Sequence, residues 1–217
     1  TVVDLSTVIA THLTEVLKTN LHELFGRQEL VNVLDNFKEQ YPKVVNDLIP
    51  EILPLGTVLS VAKNLLREGV SVRDLRTILE SLCEYGISIK DASLLTEFAR
   101  QALYRTISES VKNAEDEIPL FSLDRSLEEL IVQNMVETES GQQLSLDPQI
   151  TQNILTLLNE KIEEATGLGE KMVLLCSPVV RPHFKKLTEK FIPNLIVISH
   201  NELGPDTKIK SLGTVRL

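Results

Sequence analysis

Cys176 and His183 are the two side chains that most resemble the parts of a catalytic site. A thiol and an imidazole can act as nucleophile and general base when folding brings them together. Cys176 ends the hydrophobic stretch 172–177, and Ser177-Pro178 begins a helical pattern. A buried structural thiol therefore explains Cys176 better than catalysis does. A thiol-dependent enzyme that uses Cys176 and His183 stays open as an alternative.

Metal and cofactor sites have no recognisable motif in this chain. The histidines show neither the HExxH pattern nor paired Cys/His spacing; they are His12, His22, His183 and His200. Gly167-Leu168-Gly169 lies between a helix and a strand, whereas a phosphate-binding loop follows a strand and opens a helix. The sequence therefore predicts no catalytic, metal-binding or cofactor-binding residue.

Four basic residues lie close together on one predicted helix: Arg181, Lys185, Lys186 and Lys190. Their spacing suits a site for an acidic partner segment, and it suits an ordinary solvated helix face as well. We favour the solvated face.

Composition narrows the possible partners. The chain has 217 residues, with 22 Lys+Arg against 31 Asp+Glu, and its formal net charge is −9. This balance argues against a general nucleic-acid or anionic-membrane surface and favours a protein partner or a small ligand. The two cysteines suit free thiols in a reducing compartment. Because Thr1 is followed at once by a helical pattern, we expect a fragment of a longer chain, without a membrane segment or signal peptide of its own.

The stretch 64–82 predicts a helix, a tight turn and a second helix. Gly69 can adopt the positive φ that ends the first helix, and Ser71 with Asp74 resembles a capping box, so the second helix should begin near Val72. Its solvent side carries two arginines and three carboxylates: Arg73, Asp74, Arg76, Glu80 and Glu84. A recognition helix needs surplus positive charge to bind DNA. A helix-turn-helix regulator is therefore only a third hypothesis.

The pattern along the chain predicts an α+β protein. Residues 4–113 have helical spacing, with predicted helices at 4–24, 28–40, 42–49 and 92–111 besides the pair above. A polar run places a boundary near residue 116. Beyond it, short apolar runs at 118–123, 143–146, 172–177 and 195–199 alternate with helical patterns at 124–136, 147–164 and 178–191. We expect an all-α subdomain followed by a smaller α/β subdomain with a mixed sheet, whose last strand, 209–215, pairs antiparallel with the strand before it.

Five blocks carry a resemblance to a known family: VVDLSTVIATHLTEVLK, ELFGRQEL, NLLREGVSVRDLRTILE, LLTEFARQAL and LIVISHNEL. Together and in order they resemble the cytoplasmic region of the FlhA/SctV family, which includes LcrD and InvA. These are the export-gate proteins of flagellar and virulence type III secretion systems.

The resemblance implies three parts and a non-enzymatic role. Residues 1–25 would be the closing helix of a preceding, mostly absent subdomain, residues 26–116 an all-helical subdomain, and residues 117–217 an α/β C-terminal subdomain. Family members form a homo-oligomeric ring on the cytoplasmic face of the bacterial inner membrane, to which an N-terminal region outside this chain anchors them.

Docking of chaperone–substrate complexes is the function that the resemblance implies for this region. In flagellar members these complexes bind a cleft with a hydrophobic dimple, part of which falls on Val3, Val8 and Thr11 of this chain. Val8 and Thr11 lie three residues apart and so share one side of the first helix. The alternative is that Val8 packs in the core of the preceding subdomain.

Overall fold

The computed structural model of the protein describes residues 4–138 and 141–217, and its internal contacts divide the chain into two compact units. The first unit is Thr1–Leu103 and the second is Tyr104–Leu217. The first is helical and the second contains the strands, so the predicted α+β class is confirmed. The predicted divisions differ from these contacts: the one at residue 25 comes from the family resemblance, and the one near residue 116 comes from the polar run as well. Both stay predictions.

The first unit consists of helices. They are α1 (Leu5–Thr19), α2 (Leu21–Leu24), α3 (Arg27–Lys38), α4 (Pro42–Asn46), a π-helix (Asp47–Ile52), α5 (Leu55–Arg67), α6 (Leu75–Tyr85) and α7 (Ala92–Ala102). Leucines and valines spaced along α5, α6 and α7 form its core. Val33 on α3 and Leu94 on α7 are apolar residues that are exposed.

At the turn between α5 and α6, the end of α5 agrees with the prediction, whereas the beginning of α6 does not. Gly69 has φ +73°, its N–H donates to the Leu66 carbonyl, and the Val70 N–H donates to the Leu65 carbonyl. These two bonds form a Schellman motif, which satisfies carbonyls at the helix end. Asp74, and not Ser71, caps the second helix, because its carboxylate accepts the Thr77 N–H at 3.1 Å. The helix therefore begins three residues later than predicted.

Aspartate is the usual N-cap in this chain. In each case a carboxylate oxygen accepts a backbone N–H of the first turn; the caps are Asp4, Asp74, Asp91, Asp124 and Asp147. Such caps satisfy donors that have no partner within the helix, and their negative charge suits the positive end of the helix dipole. Each of these helices thus begins directly after a residue with a strong local preference for the N-cap position.

The second unit alternates helices and strands. Its elements are α8 (Tyr104–Val111), β1 (Glu117–Leu123), α9 (Arg125–Gln133), β2 (Met135–Thr138), β3 (Gly141–Leu144), α10 (Pro148–Gly167), β4 (Val173–Cys176), α11 (Arg181–Thr188), β5 (Ile196–Ser199), a 3₁₀ turn (His200–Glu202) and β6 (Lys208–Val215). The single predicted helix 92–111 is two helices, α7 and α8, which break at Leu103.

The main sheet is parallel, which corrects the predicted mixed sheet. Its strand order is β5-β4-β1-β6, and every neighbouring pair is parallel. The prediction that the last strand pairs antiparallel with the preceding one was wrong, because β6 crosses the sheet to lie beside β1. Antiparallel pairing occurs in a separate hairpin of β2 and β3. The apolar side chains of β1, β4 and β5 pack with α9, α10 and α11 into one core.

Candidate docking surface

The apolar side chains of α1 face solvent. Every large apolar residue of α1 and α2 has between 42% and 75% of its surface exposed; these are Leu5, Val8, Ile9, Leu13, Val16, Leu17, Leu21 and Leu24. Exposed apolar surface of this extent marks an interaction site or a face that another part of a longer chain covers. α1 is therefore the best candidate docking element among the described residues.

Val8 and Thr11 lie off the main apolar stripe of α1. At about 100° per residue, that stripe groups Leu5, Ile9, Leu13, Val16 and Leu17 on one side of the helix. Val8 lies about 110° from the centre of the stripe, and Thr11 lies nearly opposite it, about 170° away. Val8 is 51% exposed and Thr11 is exposed too. The structure thus places Val8 and Thr11 about 60° apart on one side of α1, a shoulder that faces away from the stripe, while Val3 lies outside the described residues. Their role as a docking site stays a prediction.

The N-terminal cap fixes the beginning of α1 next to this shoulder. Asp4 accepts the Thr7 N–H and the Thr7 hydroxyl, each at 2.9 Å. The bond from the Thr7 backbone, followed by that from its hydroxyl, lowers the pKa of the Asp4 carboxyl below its ordinary value. The carboxylate form that caps the helix is therefore favoured at neutral pH.

Cys176 is placed as a structural thiol. It is 1% exposed, and its sulfur lies 3.7 Å from the Ile198 carbonyl of the neighbouring strand. His183 lies on α11, where burial, followed by the charge of Lys186, lowers the pKa of its imidazole. A nucleophile must be reached by its substrate, and this thiol is buried in the core of the second unit. The geometry therefore does not favour the thiol-enzyme hypothesis.

The charged face of α6 is largely neutralised by its own side chains. Arg76 donates to Glu80 at 2.8 Å and lies over the Tyr41 ring, 5.4 Å from its centroid. The bond to Glu80 and its charge raise the pKa of Arg76 further. Because the Arg76 guanidinium is already paired with Glu80, it is less available to bind a DNA phosphate. The structure therefore gives the helix-turn-helix hypothesis no added support.

The basic residues of α11 correct the sequence interpretation. Lys186 and Lys190 are exposed, as a solvated face requires, whereas Arg181 and Lys185 are buried. Lys185 donates to the Leu195 carbonyl at 2.7 Å, and Arg181 Nε lies 3.7 Å from a carboxylate oxygen of Glu202. These two cations hold α11 to β5 and to the turn after it.

Glu202 was missed by the sequence analysis although a local signal existed. Ser199 and Glu202 have the S-x-x-E spacing of a capping box, and Glu202 accepts both the N–H and the hydroxyl of Ser199. That spacing identifies the cap. No local pattern identifies Arg181 as its buried partner, because the two residues meet only through the tertiary fold.

Residues 4–138 and 141–217 contain neither a metal-binding cluster nor a single membrane-spanning helix. No cluster of three or more His, Cys, Asp or Glu side chains in this part of the chain could hold a metal ion. No single described helix is long and apolar enough to cross a membrane. One pair, Pro42–Ile52 with Leu55–Arg67, meets the length and composition only when the two helices are counted together, and it is bent by 110°.

Comparison with known proteins identifies the family. The profile of the FHIPEP family matches residues 1–208. The chain belongs to the FHIPEP family. The flagellar biosynthesis protein FlhA of Bacillus subtilis is 39% identical over 215 residues, which is 99% of this chain and 32% of that protein. FlhA of Escherichia coli is 36% identical over 215 residues, 99% of this chain and 30% of that protein. This FHIPEP chain therefore spans about a third of the length of these relatives.

Solved structures of similar proteins have the same fold as this FHIPEP chain. The Chlamydia pneumoniae CdsV protein superposes with a TM-score of 0.90 at 32% identity, covering 97% of this chain and 60% of that one. CdsV has also been solved in a complex with CdsO, with a TM-score of 0.87, 31% identity and coverage of 97% and 62%. Nonameric EPEC SctV-C superposes with a TM-score of 0.85 at 28% identity, covering 95% and 62%. The family is that of the type III export gate, as the five sequence blocks indicated.

Proposed function

We propose that this chain is the cytoplasmic docking and gating module of a type III protein export apparatus. In this proposal it receives export chaperone–substrate complexes and passes their cargo to the membrane channel. The parent protein is held in the bacterial inner membrane by a region outside this chain, and the chain lies on the cytoplasmic face. Membership of the FHIPEP family, which spans residues 1–208, supports this role.

The proposed assembly is a homo-oligomeric ring that contacts other export components. The nonameric structure of EPEC SctV-C supports the ring, and the complex of CdsV with CdsO supports a further protein partner. The identities to the two FlhA proteins, 39% and 36%, exceed those to CdsV and SctV-C, 32% and 28%. This difference favours the flagellar branch.

The exposure of α1 is the observation that carries the docking role. We assign the stripe around Ile9 and Val16 to packing against the preceding subdomain, and the shoulder of Val8 and Thr11 to the chaperone–substrate complex. Val3 belongs to the same proposed site. A shallow apolar depression suits an anchor side chain, and charging a central contact of this kind often costs more than about 1 to 2 kcal/mol of binding. Catalysis and nucleic-acid binding have no part in this function.

A pair of variants tests the docking role. Val8→Glu should weaken binding of the chaperone–substrate complex to the complete cytoplasmic region and leave its circular dichroism spectrum unchanged. Ala10→Glu is the matched control, because Ala10 is exposed and lies about as far from the stripe on the opposite shoulder. Equal affinities of the two variants would remove Val8 from the site.

A further inference from the structure

A cleft opens beside the carboxyl ends of two neighbouring strands in the second unit. Its volume is about 270 Å³, and it is lined by Arg125, Glu128, Glu129, Val132 and Gln133 of α9 together with Ser177. Ser177 directly follows β4, and α9 begins just after β1, the strand that pairs with β4. Open parallel sheets bind ligands outside the carboxyl ends of their strands. The cleft lies at this carboxyl end of the sheet, beside β1 and β4.

Val132 supplies apolar surface at the cleft. It lies one turn after Glu128 on α9 and is 46% exposed. A hydrocarbon chain that enters the cleft would remove this surface from water.

The acidic wall of the cleft is positioned by the backbone. Glu128 Oε1 accepts the Ser177 N–H at 2.6 Å, a bond that ties α9 to the turn after β4. Glu129 pairs with Arg125 at 2.9 Å, and both of these side chains are exposed. Such surface pairs contribute about 0 to 1 kcal/mol, so this one can open at small cost. With one arginine against two glutamates, the lining carries one net negative charge.

These features exclude several kinds of ligand. Pockets for drug-sized molecules occupy about 300 to 1,000 Å³, so this cleft suits a single side chain better than a cofactor. A phosphate would face Glu128 and Glu129. It would also find the N-terminus of α9 occupied, because Asp124 accepts the Ser126 N–H there at 2.9 Å. What fits is a positive charge at the end of an apolar stem.

We propose that this cleft receives a lysine or arginine side chain from a basic segment of a partner protein. The aliphatic stem packs on Val132, and the cationic group donates to Glu128. Long basic side chains combine an apolar stem with a charged head in this way, and charge-assisted hydrogen bonds to carboxylates are among the stronger ones. The site lies in the second unit and does not depend on the docking role proposed for α1.

A matched pair of small probes tests the chemistry of the cleft in the 217-residue chain. N-acetyl-arginine methylamide and N-acetyl-citrulline methylamide have nearly the same shape, and only the first carries a charge. We expect the arginine probe to shift the NMR signals of the Ser177 amide and the Val132 methyls saturably. The citrulline probe should bind at least about tenfold more weakly, because its neutral ureido group can donate to the Glu128 carboxylate but cannot form an ion pair with it. Equal binding of the two probes would contradict the proposal.

Variants locate the interaction. Glu128→Gln keeps an acceptor for the Ser177 N–H and should weaken the arginine probe about tenfold. Glu163→Gln, on the exposed face of α10, makes the same change in net charge and should alter binding by less than about twofold. An unchanged affinity in Glu128→Gln, or saturable binding of inorganic phosphate at Ser177, would overturn the proposal.

A second variant keeps the test decisive if Glu128→Gln disturbs the fold. Val132→Thr retains the shape of the side chain, leaves Glu128 in place and makes the wall more polar. It should weaken both probes by a similar factor, about threefold. Binding of both probes at wild-type strength would show that the stem does not pack on Val132, and the proposal would fail.

Discussion

Replacing Glu202 by glutamine should destabilise the second unit through its buried ion pair. The Glu202 and Arg181 side chains are each 1% exposed, and Arg181 Nε lies 3.7 Å from Glu202 Oε1. The same oxygen accepts the Ser199 N–H at 3.2 Å and the Ser199 hydroxyl at 2.8 Å. Arg181 also donates to the Val197 carbonyl at 3.4 Å. The pair thus fastens α11 to β5 and to the 3₁₀ turn.

The expected loss follows from leaving a charge in the interior. Removing one partner of a buried pair typically costs about 3 to 5 kcal/mol, because the other charge stays buried without it. Glutamine keeps a hydrogen-bond acceptor for Ser199, so Glu202→Gln should cost about 3 kcal/mol. A loss of this size lowers, by about a hundredfold, the equilibrium constant that favours the folded second unit over its locally open form. A further Arg181→Met change should restore much of the stability, since no charge of the pair then stays buried.

Hydrogen exchange measured by mass spectrometry can read this effect in one unit of the chain. Protection of the β4 and β5 amides should fall about a hundredfold in Glu202→Gln, up to the limit set by global unfolding. Amides of α5, in the first unit, serve as the internal reference. A fall below about threefold in the single variant would refute the reasoning. So would a double variant that is no more stable than the single one.

Three further predictions concern the first unit, the cysteines and DNA. Leu79→Asp should lower the free energy of unfolding by more than about 3 kcal/mol, because Leu79 is fully buried on α6; a melting curve like that of wild type, followed by circular dichroism, would contradict this. In native protein, iodoacetamide should modify Cys83 slowly and Cys176 only on unfolding. Burial, followed by the charges of Asp47 and Glu80, raises the pKa of the Cys83 thiol, so less thiolate is present at any given pH. Its alkylation rate should therefore keep rising above the ordinary thiol pKa of 9.0, and rapid modification of Cys176 would revive the thiol-enzyme hypothesis. No sequence-selective, salt-sensitive complex with duplex DNA should form in a mobility-shift assay.

Local signals in the sequence predicted local structure well. Gly69 ends α5 as expected because only local φ and two backbone bonds are involved. The second cap was misplaced because Ser71 and Asp74 both suit an N-cap, and the local pattern alone does not choose between them. Leu94 fits the apolar spacing of α7 but is 52% exposed.

Long-range pairing was beyond sequence reasoning. The parallel position of β6 beside β1 depends on a crossover of the whole sheet, and no turn signal records it. Arg181 and Lys185 have the helical spacing of a solvated face. Their partners lie beyond the helix: Arg181 pairs with the Glu202 carboxylate, and Lys185 donates to the Leu195 carbonyl. For the candidate site, periodicity placed Val8 and Thr11 on one side of α1. Which partner binds there came only from resemblance.

The affinity of the complete cytoplasmic region for a chaperone–substrate complex tests the central claim most directly. Titration calorimetry on the Val8→Glu and Ala10→Glu variants gives the ratio of their dissociation constants, with circular dichroism to confirm that both are folded. The docking role predicts that Val8→Glu binds about five to thirty times more weakly than Ala10→Glu, as expected for a loss of about 1 to 2 kcal/mol. A ratio near one in folded proteins would contradict the assignment of this shoulder of α1 to partner docking.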